Sequence, residues 1–209
     1  MSNVALARLV RYCDHLLCTN DFQDWDGAQN GLQVENGGRV TRIAATVDGS
    51  LATIRLAVDA GADLMLVHHG LFWNSSHPWT GKRYELLRLL LEHNLAVYSS
   101  HLPLDAHPTL GNNARLCASL GLKRLRPFFL TKGQCIGLRS LTAVPLQTLV
   151  DRLARATGTP PTIIPAGPEL CRRVGVVIGG AGDELKQASA EGVDTFIRGE
   201  GRHWTYALA

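Results

Sequence analysis

RIAATVDGSLATIRLAVDAGADLMLVHHGLFW, residues 42–73, reads as strand, helix and strand, with ionisable side chains at the far end. Ile43 to Val47 is a short β-branched run, and Leu51 to Ala60 has helical periodicity and is closed by Gly61. Asp63 to Val67 is a second apolar run that ends on His68-His69-Gly70. A strand, a helix and a strand at this spacing make a parallel βαβ unit with the helix on one face.

The same pattern returns. Residues 173–204, RVGVVIGGAGDELKQASAEGVDTFIRGEGRHW, align on residues 42–73 without a gap at a constant offset of 131. Arg42/Arg173, Gly49/Gly180, Ala57/Ala188, Gly61/Gly192, Asp63/Asp194, Gly70/Gly201 and Trp73/Trp204 coincide, seven of 32 positions. Two unrelated βαβ units can match this well by chance, but the order of strand, helix, Gly, Asp and strand recurs as well. In such a repeat His69 corresponds to Glu200.

Outward from residue 42, Val4 to Cys18 places Val4, Leu6, Leu9, Val10, Cys13, Leu16 and Leu17 at helical spacing. Asn20 to Gly38 is turn-rich. Beyond Trp73, Arg83 to His93 predicts a helix and Leu95 to Tyr98 a strand. Between the repeats, Gly133 to Leu141 predicts a strand. Pro145 to Thr157 predicts a helix begun by its proline. The expected fold is a sandwich of two similar α/β halves, residues 1–125 and 126–209, with mixed, largely parallel sheets and flanking helices.

A chain of 209 residues can bury a full core, and 45% apolar with 19% charged residues is a globular composition. A net charge of +3 from scattered basic residues gives no support for a nucleic-acid partner. No apolar run approaches the ~20 residues of a membrane span, and the N-terminus lacks signal-peptide order. Cys13, Cys18, Cys117, Cys135 and Cys171 are odd in number and form no Cys-x-x-Cys pair, which predicts reduced thiols in a cytoplasmic protein.

The chemistry concentrates where ligands bind in open α/β sheets, beyond the carboxyl ends of strands. Val67-His68-His69-Gly70 ends one strand, and Ser99-Ser100-His101-Leu102-Pro103-Leu104-Asp105-Ala106-His107-Pro108 follows another. Imidazole and carboxylate together are ligands for zinc, iron, manganese or nickel. Neighbouring strand residues point to opposite faces, so His68 and His69 share a cavity only if the strand stops there, and Gly70 permits a sharp turn. Otherwise one histidine packs in the core and the other bonds a loop. Asp105 either bridges cations or shapes a turn. His101 suits a supporting donor or proton shuttle; His107, before Pro108, suits a structural turn. Gly179-Gly180-Ala181-Gly182 is a weak phosphate-cradle signal.

The segments Asn30–Glu35, Val67–Trp73, His101–Pro108 with Gly111-Asn112-Asn113, and Gly192–Asp194 through Gly199-Glu200 resemble the NIF-three-like family. Its bacterial members carry the label GTP cyclohydrolase I type 2 homologue. The resemblance implies a two-half α/β sandwich assembled as a toroidal hexamer, with dinuclear metal sites facing an interior cavity. It implies His68, His69 and Asp105 as metal ligands for two divalent ions of zinc, iron, manganese or nickel. It further implies a metal-dependent hydrolase in which a bridging water attacks carbon or phosphorus, with His101 near to move protons. Nothing in the sequence is specific for a purine, so the substrate, a nucleotide or another small molecule, stays open. A non-enzymatic metal-binding scaffold, chaperone or regulatory partner is the alternative. The family also has a His and a Glu four residues apart on a later helix. This sequence ends before that motif, so the expectation is a fragment or a shortened member.

Overall fold

The structure, a computed structural model, describes residues 3–73, 78–180 and 185–200. It divides into two compact units, Met1–Leu104 and Asp105–Ala209.

In the first unit, β4 (Ile43–Asp48), α2 (Leu51–Asp59) and β5 (Leu64–His69) follow β1 (Val4–Ala5), α1 (Leu6–Leu17), β2 (Gly31–Val34) and β3 (Arg39–Val40), and precede α3 (Lys82–Glu92) and β6 (Ala96–Ser99). The short α4 (Leu102–Ala106) begins in this unit and ends in the next. The main sheet runs β2-β6-β5-β4. β6, β5 and β4 are parallel, and β2 joins the far edge antiparallel to β6. β2 lies in the segment whose turn residues masked it in the sequence. The β1 and β3 pair forms a small separate ribbon. Side chains alternate across the sheet. Leu64, Ala96 and Tyr98 therefore pack on one face under α1, with Leu9, Val10, Cys13 and Leu17. Met65, Val67 and Val97 pack on the other face with Ile54 and Ala57 of α2 and Leu90 of α3. Each fully buried aliphatic side chain contributes about 1.5–3 kcal/mol over leaving it in water. The result is helix, sheet, helix.

The second unit holds α5 (Asn112–Ser119), β7 (Arg126–Thr131), β8 (Gln134–Ser140), β9 (Val144–Pro145), α6 (Leu146–Thr157), β10 (Leu170–Cys171), β11 (Val174–Val177), α7 (Leu185–Ala190) and β12 (Thr195–Arg198). Its sheet runs β12-β11-β8-β7. Only β11 and β12 are parallel; β8 joins β11 antiparallel and forms a hairpin with β7. β9 and β10 pair apart from it. Cys117, Leu120, Leu149, Val174, Val176 and Ile197 form the core under α5 and α6.

The repeat extends to individual hydrogen bonds. Ile43 pairs with Leu64, and 131 residues on Val174 pairs with Thr195. The Asp63 carboxylate accepts the N–H of Thr41 at 2.6 Å and of Arg42 at 2.9 Å. The Asp194 carboxylate accepts the N–H of Arg172 and Arg173, each at 3.1 Å. The Asp63 and Asp194 N–H groups in turn donate to the carbonyls of Arg42 and Arg173. Gly61 and Gly192 both turn at positive φ, +65° and +82°, to reach these aspartates. Each carboxylate thus staples the entry of one parallel strand to the entry of the next. Gly70/Gly201 and Trp73/Trp204 lie partly outside the described residues.

The Thr41 hydroxyl and N–H, then the Arg42 N–H, hold the Asp63 carboxyl below the usual carboxylate range. A carboxyl with a depressed folded value stabilises the fold above its unfolded pKa of about 3.9, and that contribution is lost as pH falls through the folded value. Asp63→Ala is expected to lower stability by about 1–2 kcal/mol at neutral pH. Urea unfolding should show this gap to the wild type shrinking below about pH 4.

Candidate metal centre

The site stands at the carboxyl end of β5, the strand held between β4 and β6. His68 and His69 are consecutive, yet their ring centroids are 4.7 Å apart. The flanking strands explain this convergence. Asp48 of β4 lies in register with His69, and its carboxylate accepts from His69 Nδ1 at 2.7 Å. Beyond β6, the Ser100 carbonyl accepts from His68 Nδ1 at 3.0 Å. Each ring is drawn toward a different neighbour as the sheet ends, so side-chain alternation no longer separates them.

His101 completes the group, with ring centroids 4.9 Å from His68 and 5.7 Å from His69. Its Nδ1 donates to Asp24 Oδ1 at 2.8 Å. Asp24 is fixed in turn by the Asn30 amide at 2.8 Å and the Leu102 N–H at 3.1 Å, while Asn30 Oδ1 accepts the His101 N–H at 2.7 Å. Burial alone would raise the Asp24 carboxyl. The hydrogen bonds from His101, Asn30 and the Trp25 N–H outweigh it and hold the group below its ordinary range. The two His–Asp pairs differ in strength. The His101 and Asp24 side chains are 13% and 4% exposed, whereas those of His69 and Asp48 are 43% and 65% exposed. An exposed pair of the second kind contributes little to stability, so its value is in orientation.

Carboxylate and carbonyl oxygens only accept, so the proton of each neutral ring sits on Nδ1 and Nε2 is the nitrogen with a lone pair for a cation. Metal-binding histidines are oriented in this way by partners on their second nitrogen. One ligand atom from each of His68, His69 and His101 lies within 4.8 Å of the others, and the three could hold a metal ion. Among the described residues His15, His93 and His107 join no such group. His107 Nδ1 accepts the N–H groups of Thr109 and Leu110, the turn role expected for it.

The surroundings are closely packed. Gly70 does not adopt positive φ, so it is not there for a sharp turn. A Cβ at Gly70 would lie 2.3 Å from Gln33 Nε2 and 2.6 Å from Ser99 Oγ. Gln33 occupies that space because its Oε1 accepts the Leu71 N–H at 2.7 Å. The Trp73 indole N–H donates to the Gly70 carbonyl, and its ring stands edge-on to His101 at 5.0 Å.

Asp105 is buried in α4, a short helix. Its carboxylate accepts from the Asn112 amide at 2.8 Å, and its carbonyl from Asn113 at 3.2 Å. Asn113 also donates to Ile136 O and accepts from Ile178 N–H, tying this aspartate to the second sheet. Of the glycine run Gly179–Gly182, the last two residues lie outside the described residues.

Three comparisons with known proteins agree. The family model for Duf34/NIF3 (NGG1p interacting factor 3) matches residues 4–209. A Deinococcus radiodurans protein named GTP cyclohydrolase 1 type 2 homolog is 41% identical over 197 residues, 93% of this chain and 74% of that protein. A Halobacterium salinarum protein of the same name is 42% identical over 202 residues, 94% of this chain and 79% of its own. Among solved structures, TTHA1606 from Thermus thermophilus superposes with a TM-score of 0.87 at 34% identity, covering 98% of this chain and 81% of that one. Reduced HcgD from Methanocaldococcus jannaschii shares the fold, with a TM-score of 0.87 at 21% identity over 100% of this chain and 84% of its own.

Removing the anchor under His101 tests whether orientation matters. Asp24→Ala is expected to weaken Co²⁺ or Zn²⁺ binding about 10–100-fold, read by calorimetric titration, with circular dichroism showing the fold retained. Unchanged affinity would mean that Asp24 does not position a ligand.

Proposed function

Because the chain belongs to the Duf34/NIF3 family, we propose that its histidine cluster is a working divalent-metal centre and that the protein is a metal-dependent hydrolase. One observation carries the reading: three imidazoles converge, each with its Nδ1 proton given to a fixed acceptor. A structural histidine needs one partner, and three arranged alike around one point have a common purpose.

In this reading His68, His69 and His101 offer Nε2, and Asp105 offers a carboxylate oxygen. His101 thereby moves from supporting donor or proton shuttle to ligand. Asp105 enters on the family resemblance and on the care with which Asn112 and Asn113 fix it. Mixed nitrogen and oxygen donors suit zinc, iron, manganese or nickel, and the set is divided between two such ions. When bound there, a divalent cation supplies Lewis acidity, lowering the pKa of water and polarising an electrophile. The chain's residues set the geometry: Asp24, Asp48 and the Ser100 carbonyl hold the imidazoles, and Trp73 walls the site beside His101 and His69.

The name GTP cyclohydrolase 1 type 2 homolog belongs to the relatives. For this chain it suggests a nucleotide or another small molecule carrying a hydrolysable carbon or phosphorus centre. Assembly into a homohexamer and a cytoplasmic location belong to the same proposal. No helix among the described residues is long and apolar enough to cross a membrane.

Elemental analysis of purified protein is expected to find about two metals per chain, and near zero in His68→Ala/His69→Ala. Metal that persists in the double variant would refute the site. Binding needs deprotonated imidazole, so occupancy should fall as the pH is lowered. The metal-loaded protein should then turn over some nucleotide or phosphoester, and Asp105→Ala should abolish turnover. Metal retention without turnover on any such substrate would leave a binding scaffold and refute the enzyme.

A further inference from the structure

The two copies of the repeat differ in what lies beside their first strand. In the second unit β11 has β12 on one side and β8, antiparallel, on the other, with Val174 opposite Ser140 and Val176 opposite Leu138. In the first unit β4 has β5 on one side and, among the described residues, ends the sheet. Burial records the difference. Val174 is 0% exposed, while its equivalent Ile43 is 48% exposed and Val47 is 58% exposed. Ile43, Ala45 and Val47 alternate onto one face of β4 and form an exposed apolar stripe. α1 packs on that face at Leu64 and Leu66, but the stripe on the neighbouring strand stays in solvent. Natural proteins guard such an edge with charge, proline or a bulge. Between Arg42 and Asp48 this one has none of them.

We propose that the edge of β4 pairs antiparallel with β4 of a second copy of this chain, about a two-fold axis through Ala45. The repeat shows that this edge position accepts an antiparallel strand. Self-pairing is the solution that closes under two-fold symmetry, since each copy presents the surface it receives. One register satisfies the side chains. With Ala45 opposite Ala45, Ile43 of each copy faces Val47 of the other and Arg42 faces Asp48. The apolar stripe is then covered by itself, and the charges that end the strand meet opposite charges. Ala44 meets Thr46 on the other face. The two four-stranded sheets become one of eight. This contact does not rest on the metal reading: no imidazole takes part in it, and Asp48, which already accepts from His69, meets Arg42 of the second copy only at the end of the strand. It supplies one interface from which a larger ring can be built.

Sedimentation velocity on the full chain, with and without divalent metal, tests the pairing. Wild type is expected to sediment as a dimer or a multiple of one, and Ile43→Lys or Val47→Glu alone to lose this contact and fall to half that mass or less. The double variant Ile43→Lys/Val47→Glu places opposite charges across the axis and should regain the wild-type mass. That rescue separates pairing from damage to the monomer, which circular dichroism would report in the single variants. A monomeric wild type, single variants of unchanged mass, or a double variant no better than its parents would each overturn the proposal. Loss of metal with retained mass would strike the metal reading alone.

Discussion

The site depends on the place of β5 in the sheet. A strand between two parallel neighbours ends with a chain on either side, and each chain can bring an acceptor to the same level. His69 finds the Asp48 carboxylate on the β4 side, and His68 finds the Ser100 carbonyl on the β6 side. Two consecutive imidazoles, which pleating would send to opposite faces, are thereby held 4.7 Å apart. An edge strand would offer an acceptor to only one of them. Centrality in the sheet and convergence at its end are one constraint. The same constraint fixes the tautomers, since acceptors on Nδ1 leave Nε2 as the nitrogen that can take a cation.

His101 arrives by a different route and is held more firmly. Its carboxylate partner is buried, so the pair interacts through little intervening water and cannot be screened as the surface pair can. Asp24 also receives three other donors, which repays its removal from solvent. The arrangement joins the turn-rich segment before β2 to the loop after β6. That segment has little regular structure of its own, and its turns serve to deliver Asp24 and Asn30 under an imidazole.

Much of this was legible in the chain. The His-His-Gly end of a strand, the His101–Asp105 segment and the repeat at offset 131 all depend on short-range order, which periodicity and spacing record. The repeat was legible as a pattern, yet its physical content, two aspartates each stapling two strand entries, needed coordinates. Asp24 and Asp48 were missed because a lone carboxylate in a turn or at a strand end has no periodicity to mark it. The Ser100 carbonyl has no side-chain signal at all. Gly70 was read for conformational freedom, whereas it is small because Gln33 and Ser99 fill the space beside it. β2 and β7 went unassigned for a related reason. Each is a short strand next to turn residues, and its partner, β6 or β8, decides its state more than its own composition does.

The two copies of the repeat separate fold from chemistry. Both keep the glycine at the helix end, the aspartate staple and the parallel register. At the functional end they part: His68, His69 and Asp48 of the first copy correspond to Gly199, Glu200 and Gly179 of the second. The elements that differ are those that would touch a cation and its ligands, and the elements that agree are those that close the βαβ unit. One scaffold therefore carries an imidazole-rich strand end in one unit and, at the equivalent place in the other, glycines and a single exposed carboxylate. Stability makes the same demand on both copies and keeps their entries alike. Chemistry makes its demand at the carboxyl end of β5, where the neighbouring strands bring the acceptors that orient His68 and His69.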